Sequence, residues 1–204
     1  MIEVFDNFLP NEYFEELQSK ILGFSQPWYY LNNITFPEKK GDCLGEYGFN
    51  YWIVSKGGLL GDDPTSKMVY DLLMKMRKVS PYKNIYRSRL DLTLYTGESK
   101  RGDIHVDQSN PFFPHYATIF YVNDSDGNTV IYNEQYEEGK GIPENLTIQK
   151  EIEPKANRFV WVNPGVWHGI EVVNASASNN RITVVAWPSG TLEYPSADVV
   201  LNSN

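Results

Sequence analysis

Cysteine is almost missing from this chain: Cys43 is the single one in 204 residues. One thiol can neither close an intrachain disulfide nor build a Cys-based structural zinc site, which suits a reducing, cytoplasmic setting. Basic residues are also short, 18 Lys and Arg against 26 Asp and Glu, leaving a formal net charge of -8. Such a chain repels phosphate backbones at long range, so nucleic acid is not expected as a partner. No apolar run is long enough to span a bilayer. The opening residues, Met1 to Pro10, carry acids where a secretory leader would have a basic stretch followed by an apolar one. Neither a membrane partner nor export is expected. Histidine is scarce as well, with only His105, His115 and His168 present, so a histidine-based metal site has few ligands to draw on.

What is present describes a folded, turn-rich chain. Hydrophobic residues make up 41% and aromatics 14%, with 15 Gly and 12 Pro to punctuate short elements. The length suits one domain spanning residues 1–204, as a monomer or homodimer. After a short apolar strand at residues 2–5, Pro10-Asn11 opens a helix in which Tyr13, Leu17 and Ile21 repeat at helical spacing until Gly23. A second helix starts at Asp63-Pro64 with Asp63 as its cap. Met68, Val69, Leu72, Leu73 and Met76 form its apolar stripe, and Pro81 lies beyond it. The aromatic stretch between the helices is expected to form strands around a loop, and residues 24–60 are a candidate substrate lid. From residue 86 the pattern turns to short β-rich runs, at 86–95, 117–122, 129–132, 158–162, 168–173 and 181–187. Helices in front and strands behind predict an α+β protein, mainly β, built on an antiparallel barrel or sandwich.

The strand at Arg89-Leu90-Asp91-Leu92-Thr93-Leu94-Tyr95 alternates strictly, so Arg89, Asp91, Thr93 and Tyr95 share the face opposite the leucines. In a barrel covered outside by helices, that polar face lines the cavity. In Ile104-His105-Val106-Asp107 the same period places His105 and Asp107 on one side of an extended segment, where both can reach one ion. A His-x-Asp triplet is weak by itself. The third candidate is His168, delivered at the start of a strand by the turn at Asn163-Pro164-Gly165. Two histidines and a carboxylate on one face of an octahedral ion are the ligand set of non-haem Fe(II) oxygenases, although the set alone leaves tetrahedral zinc open. His115, in a Pro- and Phe-rich loop, is read as outside the site. Arg181 opens the β-branched run Arg181-Ile182-Thr183-Val184-Val185-Ala186-Trp187 and shares a face with Thr183. An arginine entering an apolar strand calls for an anionic partner, which a dicarboxylate can be. A surface arginine at a strand end is the plain alternative.

In order along the chain come Leu94-Tyr95-Thr96-Gly97, His105-Val106-Asp107, Ile119-Phe120-Tyr121-Val122-Asn123, Gly127-Asn128-Thr129-Val130, Glu153-Pro154-Lys155-Ala156-Asn157-Arg158, His168 and Arg181. This ordered set, covering residues 86–187, resembles the prolyl 4-hydroxylase-like branch of the 2-oxoglutarate/Fe(II) oxygenases. The resemblance implies a double-stranded β-helix, a distorted cupin-like jelly roll whose core spans about residues 86–190. It implies Fe(II) on His105, Asp107 and His168, with 2-oxoglutarate as cosubstrate, O2 as oxidant and ascorbate as reductant. Arg181 would pair with the distal carboxylate of 2-oxoglutarate, Tyr121 would assist it, and Tyr95 would line the same pocket. The implied reaction is hydroxylation, with release of succinate and carbon dioxide. Related halogenases carry a small residue where Asp107 stands, so its carboxylate favours hydroxylation. The family often has a Gly-Gly pair where this chain has Gly127-Asn128, which leaves the strand register there open. Nucleic-acid demethylases of the superfamily carry a further arginine shortly after the clamp, and here the strand runs on to Trp187-Pro188 instead. The expected substrate is a peptidyl proline or another protein side chain. Rival readings are a small-molecule hydroxylase acting on a free amino acid, a non-catalytic cupin-like binding module, and a zinc hydrolase.

Overall fold

In a computed structural model, residues 1–32, 47–82, 84–94, 104–107, 116–170 and 180–189 are described. The elements follow the chain as β1 (Ile2–Phe5), α1 (Asn11–Ile21), β2 (Tyr29–Leu31), β3 (Gly48–Ser55), β4 (Gly58–Leu59), α2 (Pro64–Val79) and β5 (Asn84–Thr93). They continue as β6 (Ala117–Tyr121), β7 (Thr129–Gln135), β8 (Ile148–Ile152), β9 (Arg158–Val162), β10 (Val166–Ile170) and β11 (Arg181–Ser189). Every strand pairing is antiparallel. The larger sheet runs β1-β9-β6-β11-β5-β3-β2 with β4 on β3, and the smaller runs β10-β7-β8.

Both helices obey their end signals. Asp63 caps α2 through its side chain, which accepts from the Ser66 N–H at 3.0 Å, and Pro64 fills a first-turn position where no N–H is needed. The buried face of α2 is Val69, Leu72, Leu73 and Met76, and that of α1 is Phe14, Leu17 and Ile21. These residues pack on Phe120, Phe159, Leu90, Ile182 and Val184, one face of the larger sheet. Each such aliphatic side chain contributes roughly 1.5–3 kcal/mol when fully buried, so this layer fixes the helices to the sheet.

The other face of the same strands meets the smaller sheet. Ile119 and Tyr121 of β6, Val160 and Val162 of β9 and Val185 of β11 pack with Ile131, Ile152 and Val166 from β7, β8 and β10. Period-two alternation explains the split: in β11, Ile182, Val184 and Ala186 face the helices while Arg181, Thr183 and Val185 face inward. A strand buried on both faces reads as a continuous apolar run, and this is why residues 117–122 and 158–162 are legible as strands.

Strand β8 was not expected. Its sequence, Ile-Gln-Lys-Glu-Ile, buries only Ile152, because an edge strand needs few apolar residues. The open register at Gly127-Asn128 resolves with β7 starting at Thr129 and pairing Thr129 with Ile170 and Ile131 with His168. Residues 33–46 of the candidate lid, together with Tyr95 and His115, lie outside the described residues.

Candidate metal centre and anion clamp

Two short segments, far apart in sequence, form the centre. Gly165 takes the left-handed conformation (φ 73°) that closes the turn after β9, so β10 leaves in the opposite direction with His168 at its middle. His105 is held against it by the main chain: the N–H of each residue donates to the carbonyl of the other, both at 2.9 Å. Ile104 and Val106 pack with Trp167, Val130 and Tyr132. The alternate side chains, His105 and Asp107, therefore turn to the opposite side, beside His168. The imidazole rings lie 4.5 Å apart between centroids.

The ligand atoms converge. Asp107 Oδ1 is 3.6 Å from His105 Nε2 and 3.5 Å from His168 Nε2, and one ligand atom from each residue lies within 4.8 Å of the others. Ligands about 2.1 Å from an ion and at right angles to each other sit about 3 Å apart, so both carboxylate–imidazole distances would contract by about half an ångström around an ion. His168 Nδ1 lies 2.9 Å from the Val166 carbonyl, which can only accept, so Nδ1 carries a proton and Nε2 is the atom turned to Asp107. Burial by itself would raise the Asp107 pKa, but the adjacent His168 charge and the hydrogen bonds from both imidazoles hold it far below the usual carboxylate range. Burial likewise disfavours charge on His168, yet the Asp107 carboxylate outweighs it and raises the pKa of that ring. The three groups could hold a cation between them, and two imidazoles with one carboxylate fit Fe(II).

Arg181 stands on the inward face of β11, 3% exposed. Its Nη2 donates to Thr129 Oγ1 at 3.0 Å, and its guanidinium lies 5.4 Å over the Tyr121 ring. Tyr121 and Thr129 share a hydroxyl–hydroxyl hydrogen bond of 2.6 Å. Thr129 thus links the two residues expected to grip a carboxylate, a role its sequence context did not signal. Arg181 Nε, Thr183 Oγ1 and Thr93 Oγ1 are buried without hydrogen-bond partners, and Thr93 pairs directly with Arg181 across the sheet. Unsatisfied buried polar atoms clustered around a guanidinium are what a bound carboxylate would complete.

The expected polar face of β5 is real and more deeply buried than the leucine face beyond Leu90: Arg89, Asp91 and Thr93 are all enclosed while Leu92 is only partly covered. The Arg89 guanidinium lies 5.1 Å over the Trp187 ring and 5.5 Å over the Trp52 ring, and its Nε donates to Asp91 Oδ2 at 3.0 Å. Asn50, opposite Asp91 on β3, is buried as well. Sequence reading placed Arg89 and Asp91 on the cavity face without giving them a role.

No protein-family model matches the chain, and no curated protein matches it in sequence. Solved structures do. A prolyl hydroxylase from Trichoplax adhaerens, in complex with a hypoxia inducible factor oxygen degradation domain peptide, aligns over 100% of this chain and 87% of its own. Its TM-score is 0.64, at 13% identity. A Pseudomonas putida prolyl-4-hydroxylase aligns over 92% of each chain (TM-score 0.59, 14% identity). The α-ketoglutarate-dependent epimerase SnoN of nogalamycin biosynthesis aligns over 92% of this chain and 78% of its own (TM-score 0.65, 10% identity). The fold is therefore the double-stranded β-helix of the 2-oxoglutarate/Fe(II) oxygenases. Prolyl hydroxylases are among its structural neighbours, and the epimerase shows that this fold alone does not set the reaction.

Proposed function

We propose that this chain is an Fe(II)- and 2-oxoglutarate-dependent dioxygenase that hydroxylates an unactivated C–H bond. The observation that carries the reading is the convergence of His105, Asp107 and His168 beside a buried arginine with an unsatisfied Nε. His105, Asp107 and His168 would hold the ion, and Arg181, with Thr129, Tyr121 and Thr183, would hold the distal carboxylate of 2-oxoglutarate. Tyr95 keeps its proposed place in that pocket by resemblance. When bound, iron and 2-oxoglutarate supply the oxidising power: O2 places one oxygen atom in succinate and one in the hydroxylated product, and carbon dioxide leaves. The protein contributes geometry. The Val166 carbonyl orients His168, and the hydroxyl link from Tyr121 through Thr129 orients Arg181. A peptidyl proline or another protein side chain is the proposed substrate, because the structural neighbours include a prolyl hydroxylase bound to a peptide. A free amino acid is the small-molecule alternative.

The test is spectroscopic and chemical. Anaerobic addition of Fe(II) and 2-oxoglutarate should produce a weak visible charge-transfer band, and admission of air should yield succinate. A band without succinate would identify a binding module, and activity with zinc in preference to iron a hydrolase.

A further inference from the structure

Asp91 is the only acidic side chain classed as buried among the described residues, 5% exposed, and the iron and 2-oxoglutarate sites leave it unused. Its neighbours place it beside those sites. Thr183 faces it across β11 and Asn50 across β3, while Arg181 and Asp107 are close enough to act on its charge.

An ion pair with Arg89 is the plain structural role, and it is incomplete. The Arg89 Nε–H is aimed at Oδ2. Oδ1, although 2.8 Å from the same nitrogen, lies off the N–H direction and has no hydrogen-bond partner. The neighbouring indoles of Trp52 and Trp187, 6.2 Å apart, both lie against the guanidinium, 5.5 and 5.1 Å from it. Arg89 is thereby a positioning residue that sets the carboxylate with one oxygen to spare. The hydroxyls of Thr93 and Thr183 beside it are likewise unpartnered. Buried acceptors left open are costly unless a ligand satisfies them.

We infer that Asp91 anchors the substrate, its Oδ1 accepting a hydrogen bond from an N–H or O–H donor next to the carbon that is hydroxylated, an amine before a hydroxyl. This deepens the oxygenase reading and rests on it. Charge count disfavours an anionic substrate. Iron is balanced by Asp107 and one carboxylate of 2-oxoglutarate, Arg181 by the other, and Arg89 by Asp91, so no unpaired cation remains among these groups for an anionic substrate. A carboxylate binds an ammonium more strongly than a neutral donor, because the bond is charge-assisted. The ring of a peptidyl proline has no N–H to give, so the inference narrows the protein targets to side chains that carry a donor.

Three four-carbon probes decide it: butylammonium, 1-butanol and butyrate. Each is titrated into the anaerobic Fe(II)/2-oxoglutarate protein while the charge-transfer band is followed, then tested for stimulation of succinate formation in air. Wild-type protein should respond to butylammonium at roughly 10-fold lower concentration than to butyrate. Asp91→Asn, which keeps the shape and one acceptor, should lose about 10-fold or more in butylammonium affinity while retaining its response to butanol and its affinity for 2-oxoglutarate. Equal responses to butylammonium and butyrate in the wild type would overturn the inference without any variant. So would an Asp91→Asn protein that binds butylammonium as the wild type does, or one whose 2-oxoglutarate affinity falls as far as its amine affinity. Absence of the band in the wild type would sink the oxygenase reading itself, and the inference with it.

Discussion

His105 and His168 are joined through their main chains before any ion arrives, each N–H donating to the other's carbonyl at 2.9 Å. The reciprocal pair fixes the spacing of the two backbones, so the candidate metal site is partly preorganised by main-chain geometry.

Because the backbone bridge does not need the imidazole, His168→Ala should fold and still lose the centre. Iron titration should show binding weakened by at least about 10-fold, the scale of losing even a supporting group around a metal, and succinate formation should disappear. Retained iron-dependent turnover would mean that another residue completes the set.

Arg181→Ala should weaken 2-oxoglutarate binding by roughly 2–5 kcal/mol, the range for truncating one partner of a buried charged pair. Thr129→Val removes only the hydroxyl between Tyr121 and the guanidinium. Its cost should be about 1 kcal/mol, read from titration of the charge-transfer band. An unchanged cosubstrate affinity in Arg181→Ala would remove the clamp.

Asp63→Ala should destabilise the fold without touching cosubstrate binding. The substitution strips the cap of α2 and the hydrogen bond from the Tyr51 hydroxyl, and loss of a cap costs about 1 kcal/mol. Chemical denaturation gives the stability, and the band gives the control.

Stability should also carry an acid-side contribution from Asp6, which accepts from both Nε and Nη2 of Arg158. That guanidinium holds the Asp6 carboxyl below its ordinary value. A carboxyl depressed in the folded state stabilises above its unfolded pKa, and the gain is lost as pH falls through the folded value. The Asp6 side chain is 57% exposed, so solvent screening limits the effect to a few tenths of a kcal/mol. Urea denaturation of wild type and Asp6→Asn should converge below pH 3 or so and separate above about pH 4.

Much of the site was readable because its signals are local. The His-x-Asp period, the turn at Asn163-Pro164-Gly165 and the alternation at residues 89–93 each lie within a few positions, where strand geometry alone decides which side chains share a face. The helix ends were legible for the same reason, since Asp63 and Pro64 act on their own first turn. Strand β8 was invisible because an edge strand carrying one buried side chain leaves no hydrophobic pattern.

By itself, then, the order of residues determined which chemistry was on offer: two imidazoles, a carboxylate and an inward-facing arginine on strands of known period. Only the tertiary structure decided who meets whom. Thr129 reaches Arg181 across 52 positions of chain, and Arg89 of β5 meets Trp52 of β3 and Trp187 of β11. Such partnerships depend on sheet register and layer packing, which arise from the sum of many weak contacts and from no single stretch of sequence.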